Sequence, residues 1–78
     1  MITSVNLKEV LSQLPKIEIE TVLDSPYDYI LLWVNGYGSV NLQSVNPYFY
    51  DEAEQIANDT GGILCDKDTF LGLWTEEL

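Results

Sequence analysis

Four short stretches of the chain hold residue types that could do chemistry. Asp66-Lys67-Asp68, followed by Glu77, has the two ends of a calcium loop. Such a loop needs an oxygen ligand at its fifth position and Gly at its sixth. Phe70 and Leu71 stand there instead, so the stretch reads as a charged turn. Cys65 is the single thiol. A nucleophilic thiolate needs a base or a cation beside it. The chain has no His, and Asp66 next door disfavours the thiolate, so Cys65 reads as a buried structural cysteine. Glu18 and Glu20 could form the carboxylate pair that glycoside hydrolysis uses. A chain of 78 residues leaves little room for a cleft around them, and they read as a solvated face. Gly36-Tyr37-Gly38 belongs to a hairpin, with no following Lys or helix start to hold phosphate.

The elements that must position these residues follow from periodicity. Val5 to Leu14 predicts a short helix with Leu7, Val10, Leu11 and Leu14 on one face. Asn6 is its expected N-cap, Glu9 completes a capping box, and Val5 and Val10 stand at the staple positions. Pro15 ends it. Ile17 to Leu23 alternates, with Ile17, Ile19, Thr21 and Leu23 on one side and Glu18 and Glu20 on the other, which predicts a half-buried strand. Asp24-Ser25-Pro26 is a turn. Tyr27 to Val34 is nearly all apolar, as a central strand would be, and Asn35-Gly36 signals a hairpin leading to a return strand over Tyr37 to Leu42.

Asn46-Pro47 predicts a second helix with Phe49, Ala53, Ile56 and Ala57 as its buried stripe, stopped by Gly61-Gly62. The tail reads two ways. Ile63 to Cys65 and Thr69 to Trp74 fit a hairpin, which Gly72 and the β-prone Thr, Phe and Trp favour. Alternatively Asp68 caps a last helix carrying Phe70, Leu71, Trp74 and Leu78. The expectation is one α+β domain over residues 1–78: an antiparallel sheet of 3–5 strands packed by two short helices, in the order α-β-β-β-α-β-β. Trp33, Phe49 and Trp74 are the expected core aromatics, which leaves some of the five Tyr for the surface.

Composition narrows the function. Thirteen Asp and Glu face three Lys, with no Arg and no His, for a net charge of −10. Direct nucleic-acid binding needs a phosphate-neutralising face that three Lys cannot make. No imidazole base, no cofactor motif and no cleft signal point to an enzyme, and no cofactor is expected. Nothing at the N-terminus reads as a signal peptide, the longest apolar run is far short of a membrane span, and the expected compartment is the cytoplasm of a bacterial host. The charge exceeds the magnitude of roughly 2–8 that solubility asks of a small domain, and self-repulsion costs stability. A surplus of carboxylates would resemble a phosphate backbone and be steered to a basic groove. The candidate partner-binding residues are therefore Glu18, Glu20, Asp51, Glu52, Glu54, Asp59, Asp66 and Asp68, with Tyr37, Tyr48 and Tyr50 as aromatic anchors.

In size, charge and element pattern the whole chain resembles the small acidic inhibitors encoded by phages and mobile elements: anti-CRISPR proteins, anti-restriction proteins and uracil-DNA glycosylase inhibitors. The last group also opens with a short helix and continues into an antiparallel sheet with acidic residues. The resemblance implies a non-enzymatic inhibitor of a basic nucleic-acid-binding protein, a CRISPR-Cas effector foremost. Two alternatives share the composition. One is an immunity protein or antitoxin that neutralises a basic nuclease toxin. The other is an acidic structural subunit that forms a homodimer through the edge of the Tyr37–Leu42 strand.

Overall fold

The computed structural model describes residues 1–3 and 6–77. Val5, expected at a staple position, and Leu78, expected on a last helix, lie outside the described residues. The elements run α1 (Leu7–Ser12), α2 (Lys16–Leu23), β1 (Tyr29–Val34), β2 (Val40–Val45), a 3-10 turn (Pro47–Phe49), α3 (Tyr50–Thr60), β3 (Ile63–Asp66) and α4 (Lys67–Glu77). The class is α+β, and the sheet is antiparallel with strand order β2-β1-β3.

The apolar run on β1 makes it central. Ile30 and Leu32 face one way and Leu31 the other, and all three are fully buried. Ile30 and Leu32 join Leu7, Val10, Leu11, Leu14, Ile19 and Phe70 in the larger core, under α1, α2 and α4. Leu31 joins Val45, Ala53 and Ala57 in the smaller core, under α3. The sheet is thus a partition between two helical layers.

In α1 the expected apolar face is buried as read. Asn6 is the N-cap residue, but its side chain makes no cap bond. Its Oδ1 accepts from the Thr3 amide at 2.7 Å and its Nδ2 donates to the Met1 carbonyl at 3.1 Å, so Asn6 ties the N-terminal segment back in place of a capping box.

Lys16–Leu23 is a helix and not the expected strand. Pro15 enters it in an extended conformation, and Glu18 lies in the first turn, where the helix dipole favours a carboxylate. Ile19 is 1% exposed, and Val22 and Leu23 pack beside it at helical spacing. Ile17, which a strand would have buried with Ile19, is 70% exposed. Over so few residues the two periods compete, and packing against β2 decides for the helix.

The hairpin is longer than Asn35-Gly36 alone. Val34 pairs with Val40, so residues 35–39 form the loop and the return strand runs over Val40–Val45 rather than Tyr37–Leu42. Asn35 Oδ1 accepts from the amides of Tyr37 (2.9 Å) and Ser39 (3.0 Å). The left-handed position falls on Gly38, with φ +81°.

The tail is β3 followed directly by α4, not a hairpin. Phe70, Leu73 and Trp74 face the larger core at helical spacing, with Phe70 fully buried. Gly72 has no neighbour within 4 Å of where a Cβ would stand, so nothing but its weak propensity opposed the helix. The helix opens one residue after Asp66, and its cap is Asp66 rather than Asp68.

Candidate functional site

The most acidic helix is α3, and its entry is built from the expected cap. Asn46 Oδ1 accepts from the Tyr48 amide at 3.0 Å, and Pro47 occupies the first position of the 3-10 turn that leads into the helix. Gly61, with φ +68°, ends α3 in the left-handed conformation, and the Gly62 amide returns to the Ala57 carbonyl at 2.9 Å.

Ala53 and Ala57 turn to the sheet and are buried. Helical spacing then places Glu52, Ile56 and Asp59 along one flank, Glu54 on the other, and Asp51 outward. All four carboxylates are exposed, and α3 carries no Lys to offset them. Gln55 Nε2 donates to Asp59 Oδ1 at 2.8 Å, which holds that carboxylate on its flank.

Small side chains at 53 and 57 let α3 sit close on β1 and β3. On the α3-facing side of β2, Val45 is buried, Asn41 is half-buried and Gln43 is exposed. Between β2 and α3 lies a groove of about 280 Å³. Leu31, Val45 and Ala53 form its floor, Tyr27, Phe49 and Ile56 its rim, and Glu52 stands at its edge. Phe49 is 50% exposed and Ile56 38%, although both were expected in the buried stripe of the helix, and Phe49 was expected among the core aromatics. They mark the border of the stripe whose centre is Ala53 and Ala57. Phe49 also packs edge-on against Tyr48, ring centroids 5.2 Å apart, and Tyr48 is 86% exposed. The groove therefore has aromatic and acidic residues side by side.

The remaining candidates lie apart from this surface, except Tyr50, which opens α3. Glu18 and Glu20 are exposed on α2, in the opposite layer. Two residues apart on a helix they point some 200° away from each other, so they form no carboxylate pair. Glu20 sits 3.8 Å from Lys16 in an exposed ion pair. Asp66 and Asp68 are exposed at the β3–α4 junction. Asp66 is engaged locally: its hydrogen bonds from Thr69, backbone first, hold its carboxyl below the usual carboxylate range. Tyr37 is 96% exposed at the hairpin tip. Tyr50 is half-buried, its ring edge-on to Tyr29 with centroids 5.0 Å apart, and so is spent on internal packing.

Cys65 is half-buried on β3. Burial, and then the neighbouring Asp66 charge, push its thiol up to about 11. At neutral pH it is a protonated, weakly nucleophilic group. Among the described residues no cluster of three or more His, Cys, Asp or Glu is placed to hold a metal ion. Among them, too, no helix is long and apolar enough to cross a membrane.

Tyr27, Leu31, Phe49 and Ile56 are the groove residues that sequence reasoning missed. The available signal was an apolar stripe wider than two alanines need, beside a strand of polar and apolar residues. No protein-family model, curated protein or solved structure matches the chain.

Proposed function

We propose that the protein is a non-enzymatic inhibitor that binds a basic nucleic-acid-binding protein, a CRISPR-Cas effector foremost, through an acidic surface that stands in for DNA. The observation that carries this reading is the segregation of charge on α3. Asp51, Glu52, Glu54 and Asp59 span eight steps of a helix with no cation among them. At a rise of ~1.5 Å per residue the four average one carboxylate per ~4 Å of axis, unevenly spaced and spread over the outward half of the helix, a charge density near that of one DNA strand with its ~3.4 Å phosphate spacing. A surface of that density is steered to grooves lined with Lys and Arg and competes there with nucleic acid. Tyr48 and Phe49, exposed at the entry of the same helix, supply an apolar contact that phosphate lacks.

The test is competition. A CRISPR effector with labelled target DNA is titrated with the protein at low salt and at about 0.5 M NaCl, where the Debye length has fallen to ~4 Å. The expected result is displacement of DNA, weakened steeply by salt and by the combined change D51N, E52Q, E54Q and D59N. Unchanged potency of that variant, or binding indifferent to salt, overturns the reading. Displacement from a nuclease toxin but not from the effector selects the immunity-protein alternative.

A further inference from the structure

We propose that the groove between β2 and α3 receives an extended basic segment of a partner protein, which pairs with the outer edge of β2 and seats one apolar side chain on Tyr27, Phe49 and Ile56. The inference rests on the acidic-surface reading and gives that surface a partner conformation. Three observations carry it.

The first is the edge. Among the described residues β2 has a strand on one side only. Proteins commonly blunt such an edge with Lys, Pro, a bulge, an inward charge or a covering helix, and here α2 packs against β2 from the side of the larger core, which Val40 and Leu42 face. Val40-Asn41-Leu42-Gln43-Ser44-Val45 contains no charged residue and no Pro, and it pairs with β1 without interruption from Val40 to Val45. The opposite edge, β3, is shorter and ends in Asp66. The long uncharged edge is the one beside the groove.

The second is the size of the groove. At about 280 Å³ it falls below the common range of small-molecule sites. That range is roughly 300–1,000 Å³, so the space is close to its lower end and has room for a side chain from a partner. An added strand delivers side chains to one face at every second residue, which is how strand addition couples backbone hydrogen bonds to pocket specificity.

The third is charge. Among the described residues none lining the groove is cationic, Glu52 lines it, and Asp59 continues the same flank. A Lys or Arg two residues from the apolar anchor meets Glu52. A second copy of this chain is the poorer occupant, because it brings a net charge of −10 against −10.

The test uses nuclear magnetic resonance on the labelled protein with three blocked peptides. The first is Lys-Thr-Leu-Thr-Lys, the second replaces its Leu by Ser at equal charge, and the third carries alternate N-methyl groups that remove backbone donors. The expected result is saturable shifts at the amides of Asn41–Val45, Glu52 and Ile56 with the Leu peptide. Affinity falls about tenfold or more for the Ser peptide, the scale set by burying one Leu side chain. N-methylation abolishes the β2 shifts. Phe49→Ala and Ile56→Ala, at exposed positions that leave the fold intact by circular dichroism, weaken the Leu peptide and not the Ser peptide. Equal binding of all three, with shifts confined to the α3 carboxylates, overturns the strand pairing and leaves the acidic reading standing. No shift with any peptide at low salt overturns both. A dimer that forms without peptide and shifts the β2 amides makes the second copy the occupant and overturns the proposal.

Discussion

The Asp66 carboxylate accepts a hydrogen bond from the Thr69 amide at 2.7 Å, at the point where β3 passes without a loop into α4. That bond satisfies one of the amides that a helix start leaves unpaired. It also depresses the Asp66 carboxyl from its ordinary value of 3.8. A carboxyl depressed in the folded state contributes stability that is present above its unfolded value and lost as pH falls through the folded value. Asp66→Ala is therefore expected to lower the thermal midpoint at neutral pH and to flatten its decline below about pH 4. Asp66→Asn, which keeps an acceptor oxygen, retains more of the neutral-pH stability than Ala. Thermal melts between acid and neutral pH check both. A midpoint for Asp66→Ala equal to that of the wild type would show that α4 starts without this cap.

Ile19 and Ile17 test the helix that replaced the expected strand. Ile19 is enclosed by the larger core and Ile17 is in solvent. Ile19→Ala should cost about 2–5 kcal/mol, the usual range for emptying a core site. Ile17→Ala should fall within about 0.5 kcal/mol of the wild type. Urea unfolding measures both. Comparable losses at the two positions belong to a strand, in which both side chains share the buried face.

The same pair shows where reading the sequence succeeds. Tyr29–Val34 is recognisable as a central strand because its burial on both faces demands an unbroken apolar run. The Asn46-Pro47 entry and Gly61 exit of α3 are recognisable because each rests on local backbone chemistry. Ile17 to Leu23 is different. Ile17, Ile19, Thr21 and Leu23 fit a period of two, while Ile19, Val22 and Leu23 fit a helical one, and only the presence of β2 above Ile19 selects between them. In the tail, Asp66 reads equally as a turn residue and as a cap, and Phe70 decides by filling the core under β1. The groove was hidden for a related reason. Phe49 and Ile56 are apolar and helical, so sequence assigns them to the core, and the narrow face that Ala53 and Ala57 present is what strands them at its rim.

Cys65 should react slowly with iodoacetamide at neutral pH, because its folded pKa of about 11 leaves little thiolate. The raised value carries a stability consequence of opposite sign to Asp66. The unfolded thiol ionises near 9.0 while the folded one stays protonated, so stability is complete below that value and is lost as pH rises towards about 11. Cys65→Ser removes this alkaline term. Labelling rates between pH 7 and pH 10, set beside those of the urea-unfolded chain, should be much lower in the native state. Equal rates in the two states would mean that the thiol is neither buried nor shifted.

Gly62 lies against the centre of the sheet. A Cβ there would stand 2.6 Å from the Leu32 carbonyl oxygen and 2.9 Å from the Trp33 Cβ. The first of these is backbone of the central strand and has no rotamer to give. Gly62→Ala should therefore destabilise strongly, by more than about 2 kcal/mol, as other steric insertions into packed interiors do. Gly36→Ala, in open space at the hairpin, is the control and should be near neutral. Chemical denaturation of the pair gives the comparison. A tolerated Ala at 62 would require β1 to move away from the α3–β3 corner.

Charge on α3 separates stability from recognition. Asp51 lies in its first turn and Asp59 in its last. The helix dipole favours a carboxylate at the first position and opposes one at the second, by ~0.3–1 kcal/mol each at low ionic strength. Both also feel the field of a chain with a net charge of −10. The molecule measures 30 × 26 × 18 Å, so most pairs of charges stand farther apart than the Debye length. That length is ~10 Å at 0.1 M salt, and added salt therefore removes most of the repulsion. Asp59→Asn is expected to raise the thermal midpoint at low salt and Asp51→Asn to leave it unchanged or lower it, with the difference shrinking as NaCl is added. Both changes should weaken binding to a basic partner. An Asp59→Asn protein that is more stable and yet binds less well identifies Asp59 as a residue whose carboxylate serves recognition at the expense of the fold. A variant that gains stability and binds as before removes Asp59 from the interface and confines the contact to the Glu52 end of the groove.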